Sequence, residues 1–182
     1  MRLVTAAVVI VMVGGACASG QPAIETSPGP VPGVTTSSTG AVVRLSGDSY
    51  ALEDVVSAPV ADVWRVLPQA WADATVPLAS VDNARRTLES GTFRGPERIV
   101  GKPLADFIDC GYTMAGPRVR LWQVSIDVTG TVQPDSAGAR VATRVVATAR
   151  ARDGTNSGAV TCSSRGALER IIAGNVRVRL GM

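Results

Sequence analysis

The chain has 182 residues, no histidine and a formal net charge of +3. Without histidine, Ser-His-Asp and Cys-His catalysis, imidazole metal sites and imidazole pH switches are excluded. The length predicts one domain with appendages, and we expect neither a metal nor a cofactor.

Residues 1–17 have the pattern of a secretory signal peptide. Arg2 precedes an uncharged apolar run from Leu3 to Val13, and small residues follow up to Cys17. The run has 11 residues, whereas a membrane-spanning helix needs about 20. The segment therefore predicts export, and a permanent transmembrane helix is not expected.

The end of this segment, Val13-Gly14-Gly15-Ala16-Cys17, resembles the lipobox of bacterial lipoproteins. In that family the cysteine becomes the mature N-terminus and carries a diacylglycerol on its thiol, although Gly14 stands where an aliphatic residue is preferred. The resemblance implies lipidation of Cys17, and Ala18 implies the outer membrane in a cell with two membranes. The alternative is ordinary cleavage at Ala16-Cys17-Ala18, which would release a soluble secreted protein.

Residues 18–40 are predicted to be a disordered tether. Sixteen of these 23 residues are Gly, Pro, Ser or Thr, and the only charge is Glu25. Such a segment buries too little apolar surface to offset the entropy lost on ordering. It is expected to lift the following domain away from the membrane.

Residues 41–182 are predicted to form a single α+β domain, beginning with a strand around Leu52, Val55 and Val56. Ser57-Ala58-Pro59 then has the composition of a helix start, with Ser57 as the capping hydroxyl. Pro68 is expected to kink or divide this helix. Its apolar face is formed at helical spacing by Val60, Val63, Trp64, Leu67 and Trp71.

The next segments predict shorter elements. Residues 85–90 and 92–94 have the pattern of paired strands, beside turns at Asp82-Asn83 and Ser90-Gly91. Residues 103–111 predict a short helix that ends at Gly111.

The clearest pattern is the alternation of apolar and polar side chains in 119–132 and 139–152. With the turn-rich loop at 133–138, it predicts a long antiparallel hairpin. Ser163-Ser164 is expected to cap a final helix with Leu168, Ile171 and Ile172 on one side. Residues 175–180 either prolong that helix or form a strand. We therefore predict an antiparallel sheet with a helix after the first strand and a C-terminal helix packed on one face.

Two family resemblances rest on residues 56–82. The segment from Val56 to Leu67, with its Ala58-Pro59 and Val63-Trp64 pairs, resembles the opening of START-like helix-grip domains. That resemblance implies an apolar cavity between the sheet and the last helix, and an apolar small-molecule or lipid ligand. The same segment with 76–82 also looks like the BamC family of outer-membrane assembly lipoproteins, which implies an envelope protein partner.

The remaining thiols, Cys110 and Cys162, predict one disulfide, because an exported chain folds in an oxidising compartment. Two separately buried free thiols are the alternative. A nucleophilic cysteine would need a histidine that the chain lacks.

Other residues that suggest chemistry have simpler structural explanations. The arginines on one strand face (Arg140, Arg144, Arg150, Arg152) suggest anion binding, but a solvated face is favoured and nucleic acid is not expected. Capping and turn roles are favoured for Asp82, Asp106, Asp109 and the Ser163-Ser164-Arg165-Gly166 run. Trp64 and Trp71 are expected in the core.

The sequence thus predicts a membrane-tethered envelope lipoprotein that binds or supports a partner and is not an enzyme. Its membrane contact is the lipid on Cys17. The first alternative is a helix-grip binder of an apolar small molecule or lipid. The second is a hydrolase that uses carboxylates or serine.

Overall fold

The computed structural model describes residues 51–152 and 158–182 in full, together with the backbone of strands at 34–36, 42–46 and 49–50. The predicted signal peptide, with Cys17, and most of the predicted tether lie outside the described residues.

Three strands precede the first helix: β1 (Val34–Thr36), β2 (Val42–Ser46) and β3 (Ser49–Val56), followed by α1 (Val60–Asp73). Short strands follow: β4 (Ser80–Asp82), β5 (Thr87–Glu89), β6 (Phe93–Arg94), β7 (Arg98–Ile99) and β8 (Lys102–Pro103). A 3-10 turn (Leu104–Asp106), β9 (Ile108–Asp109), β10 (Tyr112–Thr113), β11 (Gly116–Pro117) and α2 (Arg118–Leu121) come next. The chain closes with β12 (Gln123–Asp135), β13 (Gly138–Arg150), β14 (Val160–Ser164) and α3 (Ala167–Arg179).

The predicted hairpin is confirmed as the centre of the main sheet. β12 and β13 pair antiparallel from Gln123↔Arg150 to Asp135↔Gly138, which leaves a two-residue turn. The strand order is β1-β2-β3-β13-β12-β5-β4. Two further strands pair with the hairpin. β14 pairs with β13 on the same edge as β3, and β6 pairs with β12 on the same edge as β5. The alternation of side chains specifies this register, since a shift of one residue would expose the apolar face.

One face of the sheet carries both long helices, so the fold is α+β as predicted. Fully buried side chains of α1 and α3 pack on the buried face of β12 and β13. Trp71 lies so close to β12 that a Cβ at Gly130 would be 2.8 Å from its ring, and only glycine permits this approach. The core between helices and sheet includes Leu67, Trp71, Leu168, Ile172 and Val176.

One described strand lies within the predicted tether. β1 lies inside the segment 18–40, which was expected to be disordered throughout, and pairs antiparallel with β2. Its sequence, Val-Thr-Thr, consists of β-branched residues that favour strands.

The first helix is continuous, which corrects two expectations. Pro68 lies within α1 without dividing it, and the N-cap residue is Pro59, with no side-chain capping bond from Ser57. Val63, Val66 and Leu67 before the proline and Ala70 and Trp71 after it are all buried. Burial of this single face outweighs the one backbone hydrogen bond that proline removes.

The short helix predicted at 103–111 is wrong. Only the 3-10 turn Leu104–Asp106 forms, and Ile108 and Asp109 instead form β9, which pairs with Ser163 and Ser164 of β14. The helical prediction failed because a partner strand more than fifty residues away supplies the hydrogen bonds of β9. Gly111 does end the segment, with a positive φ of 71°.

The predicted start of the last helix is also wrong. Ser163 and Ser164 belong to β14, and the N-cap of α3 is Gly166, which has no side-chain capping bond. The helix then passes Gly174 and continues to Arg179, so residues 175–179 prolong it.

Residues 87–89 and 93–94 are strands, but they do not pair with each other as predicted. β5 pairs with β12 and β4, and β6 pairs with a different part of β12. Each of them forms backbone hydrogen bonds with the long strand β12. An isolated hairpin of two such short strands would be only marginally stable.

Candidate functional site

The candidate site is a cleft of about 310 Å³ at the end of the sheet farthest from the β12–β13 turn. It lies between the segment after β6, the 3-10 turn, α2 and the first residues of β12. Its lining comprises Arg94, Gly95, Pro96, Glu97, Pro103, Leu104, Ala105, Val119, Arg120, Trp122, Gln123, Val124 and Arg152.

The floor of the cleft is apolar and continuous with the core. Leu104, Val119 and Val124 each have at most 8% of their surface exposed. Trp122 is half-buried and packs against the core cluster. A ligand in the cleft would therefore contact a fixed hydrocarbon surface with an aromatic wall.

Gly95 brings the segment after β6 close to this floor. Its N–H donates to the carbonyl oxygen of Val124 at 2.8 Å. A Cβ at this position would lie 3.0 Å from Leu104 and 3.1 Å from Ile126, tighter than ordinary van der Waals contact. The small residue thus keeps the floor compact at this edge of the sheet.

The disulfide predicted between Cys110 and Cys162 is confirmed, and it braces the wall of the cleft. The carbonyl oxygen of Cys110 accepts a hydrogen bond from Nη1 of Arg118 at 3.3 Å. The guanidinium of Arg118 lies 5.1 Å from the ring centroid of Trp122, a cation–π distance. A chain of contacts therefore joins the disulfide to the aromatic wall.

The rim of the cleft is positive. Arg94, Arg120 and Arg152 are exposed, and none of them makes an ion pair with another described residue. Glu97 is the only carboxylate among the lining residues. Three cations against one anion in a concave, low-dielectric setting focus a positive potential on the cleft.

A second, shallower hollow of about 440 Å³ adjoins the cleft and shares Ala105, Val119 and Arg120 with it. Two of the carboxylates considered from the sequence, Asp106 and Asp109, line this hollow. Asp109 accepts the N–H of Gly111 at 2.9 Å and pairs with Arg165 at 2.8 Å. Asp109 therefore holds the loop, as its predicted turn role requires.

Apart from Arg152, the remaining predicted candidates do not line the cleft. Asp82 accepts the N–H groups of Ala84 and Arg85 and so stabilises its turn. Arg140 pairs with Asp135 at 2.6 Å and with Glu53 at 3.7 Å, while Arg152 alone of the four strand arginines reaches the cleft.

The two tryptophans of α1 have different environments. Trp71 is fully buried, as expected for a core residue. Trp64 is half-buried, and its Nε1 donates to Oδ1 of Asn83 at 3.1 Å, which ties α1 to the β4–β5 turn.

Sequence reasoning missed two buried carboxyl groups. Glu169 in α3 is fully buried and accepts a hydrogen bond from Oγ of Ser164 at 2.6 Å. Asp54 in β3 is 2% exposed and pairs with Arg177 at 2.7 Å. Burial raises the pKa of both groups, more than their hydrogen bonds and the neighbouring arginines lower it. Both look like ordinary polar positions in the sequence, so no local signal marks them.

Among the residues that the structure describes, no group of three His, Cys, Asp or Glu side chains is placed to hold a metal ion. No helix in the same ranges has the length and apolar character needed to cross a membrane. The chain matches no known protein-family model, and no curated protein is significantly similar to it.

Proposed function

We propose that this protein is an exported, membrane-tethered, non-enzymatic binding module of the cell envelope, and that its ligand occupies the cleft. The observation that carries the binding role is the cleft itself, with its apolar floor and arginine rim. Concave, mostly apolar pockets with a few convergent polar groups are the usual sites for small ligands.

The disulfide supports export. Disulfides form and persist in secreted and envelope proteins and are rare in the reducing cytosol. Cys110 and Cys162 are both buried, and their bond joins segments on either side of the central hairpin. A fold that depends on this bond is suited to an oxidising compartment.

The lipobox-like segment supports the membrane tether. Lipidation of Cys17 would place acyl chains at the mature N-terminus, and two or more chains anchor a protein stably where one does not. The residues from 18 to 33 would then span the distance between the lipid and β1. In a cell with two membranes, Ala18 favours the outer membrane.

The chemistry of the cleft favours binding over catalysis. The chain has no histidine, and both described thiols form the disulfide. The cleft lining offers one carboxylate, Glu97, and no serine, threonine or cysteine. The lining therefore lacks the nucleophile–base and acid–base pairs on which hydrolases rely.

The apolar floor of the cleft also supports the alternative function, the binding of an apolar small molecule. Helix-grip domains hold such ligands between the sheet and the last helix, but here Leu168, Ile172 and Val176 fill that interface and are fully buried. The open apolar surface lies instead beneath α2 and beside β6.

Cell fractionation tests the tether. Wild-type protein is expected to stay with membranes through a high-salt wash, whereas Cys17→Ser should appear in the soluble fraction. Ala18→Ser keeps the cysteine and is expected to behave as wild type. Recovery of wild-type protein in the soluble fraction, or of Cys17→Ser with membranes, would contradict the proposal.

A further inference from the structure

We infer that the ligand of the cleft is a single-chain anionic amphiphile, with its hydrocarbon chain on the floor and its anionic head at the arginine rim. This inference rests on the proposed binding role and specifies the class of ligand. Two features of the cleft carry it: the apolar floor and the charge of the rim.

The floor accepts hydrocarbon. Leu104, Val119 and Val124 present carbon surface, and Trp122 adds an aromatic wall held in place by Arg118. Covering this surface with a chain removes apolar area from water on both partners. A cleft of about 310 Å³ lies at the lower end of the range for small-ligand pockets, which suits one chain.

The rim selects for negative charge. Arg94, Arg120 and Arg152 come from β6, α2 and the segment just after β13, so three separate parts of the chain each contribute an arginine to the lining of one cleft. Guanidinium groups bind carboxylate and phosphate in bidentate geometry and lose less hydration than ammonium groups. Since no described carboxylate is paired with any of these arginines, an anionic head would be their partner.

The positive rim disfavours cationic amphiphiles, and the floor disfavours fully polar anions. A nucleic acid would need several stacking aromatics along the groove, whereas Trp122 is the only aromatic in the lining. An amphiphile with one hydrocarbon chain and one anionic head can contact the apolar floor and the arginine rim at the same time.

Calorimetric titration with three matched probes tests the inference. The probes are decanoate, decanol and decyltrimethylammonium, which share a chain length and differ in head charge. The protein is the full chain with Cys17→Ser, so that no attached acyl chain competes for the cleft. Decanoate is expected to bind saturably and at least about tenfold more tightly than decanol, since hydrogen bonds from guanidinium groups to a carboxylate are stronger than those to a neutral hydroxyl. Decyltrimethylammonium should not bind saturably.

Paired arginine variants locate the head group. Arg94→Gln/Arg120→Gln is expected to weaken decanoate binding about tenfold or more and to leave decanol unchanged. Arg65→Gln/Arg85→Gln removes the same charge from exposed positions outside the cleft lining and should bind decanoate as wild type does. Tryptophan fluorescence places the chain: decanoate should perturb the emission, and Trp122→Phe should abolish that change.

Three results would overturn the inference: decanol binding as tightly as decanoate, the cleft variant binding like the matched control, or no saturable binding of any probe. Equal binding of decanol would leave the binding role standing and remove only the anionic class. None of the three bears on the membrane tether, which fractionation tests separately.

Discussion

Glu169 is a carboxyl group that the fold has removed from water. Ser164 donates a hydrogen bond to its Oε1 at 2.6 Å, whereas Oε2 has no partner among the described residues. Ser164 also accepts the N–H of Gly166 at 3.1 Å, so the pair organises the first turn of α3. Burial raises the pKa of Glu169 above its ordinary value of 4.5.

This raised pKa predicts a pH-dependent effect of Glu169→Gln. A carboxyl group with a raised folded-state pKa contributes stability below its unfolded pKa and loses that contribution as the pH rises through the folded value. Glu169→Gln should therefore increase the free energy of unfolding by on the order of 1 kcal/mol at about pH 8 and have little effect near pH 4. Urea denaturation at the two pH values measures this. Glu89→Gln, at an exposed position, is the control, and an equal effect of Glu169→Gln at both pH values would contradict the explanation.

At the scale of elements, two arginines of the last helix attach it to different partners. Arg177 pairs with Asp54 of β3 at 2.7 Å, and the Asp54 side chain is only 3% exposed. Arg179 pairs with Asp73 of α1 at 2.6 Å, and the side chains of both residues are more than a third exposed. The two ion pairs therefore have similar N–O distances, but their carboxylates differ greatly in solvent exposure.

Removal of these arginines should have unequal effects. Arg177→Ala leaves the Asp54 carboxylate buried without its partner and is expected to cost about 3 kcal/mol of stability. Arg179→Ala leaves Asp73 in contact with water and should cost clearly less. Thermal or urea denaturation of the two variants compares them directly. A loss for Arg179→Ala as large as that for Arg177→Ala would show that burial does not govern these pairs.

Local sequence patterns predict two kinds of element. One kind forms its hydrogen bonds within a short stretch of the chain, and the other has buried side chains that recur at a regular spacing. The β12–β13 hairpin follows from alternation over two long strands, and α1 follows from its apolar face. β9 and β14 were missed because each depends on a distant strand that no window of residues contains. The start of α3 was placed too early because Ser163 and Ser164 look like capping residues until their strand pairing is known.

At the scale of the molecule, the disulfide joins parts of the fold that are distant in sequence. Cys110 and Cys162 are separated by 52 residues, and the loop that they close contains the whole central hairpin. In the chain-entropy account, closing a loop of this length in the unfolded state stabilises the native state by about 4 kcal/mol.

Cys110→Ala/Cys162→Ala is therefore expected to lower the free energy of unfolding by about 4 kcal/mol. Reduction of the wild-type protein with a thiol reagent should give the same loss, while adding the reagent to the double variant should change nothing. A loss below about 1 kcal/mol would contradict the proposed contribution of the bond.

The cleft shows why the site was less predictable than the fold. Its lining comes from four separate stretches of the chain, and the arginines of its rim lie between 94 and 152. Arg152 was noted only as part of a strand face, and Arg94 and Arg120 had no distinguishing pattern. The disulfide is predictable because two thiols in a chain that is expected to be exported are expected to pair. The cleft has no comparable pattern in the sequence, because the tertiary fold brings its lining residues together from distant parts of the chain.

We propose that the chain is anchored by lipid at Cys17 and presents its domain from a membrane. Mass spectrometry of the N-terminal peptide of the mature protein tests it most directly. We expect the peptide to begin at Cys17 and to carry a diacylglycerol on the thiol. An unmodified peptide that begins at Ser19 would contradict it.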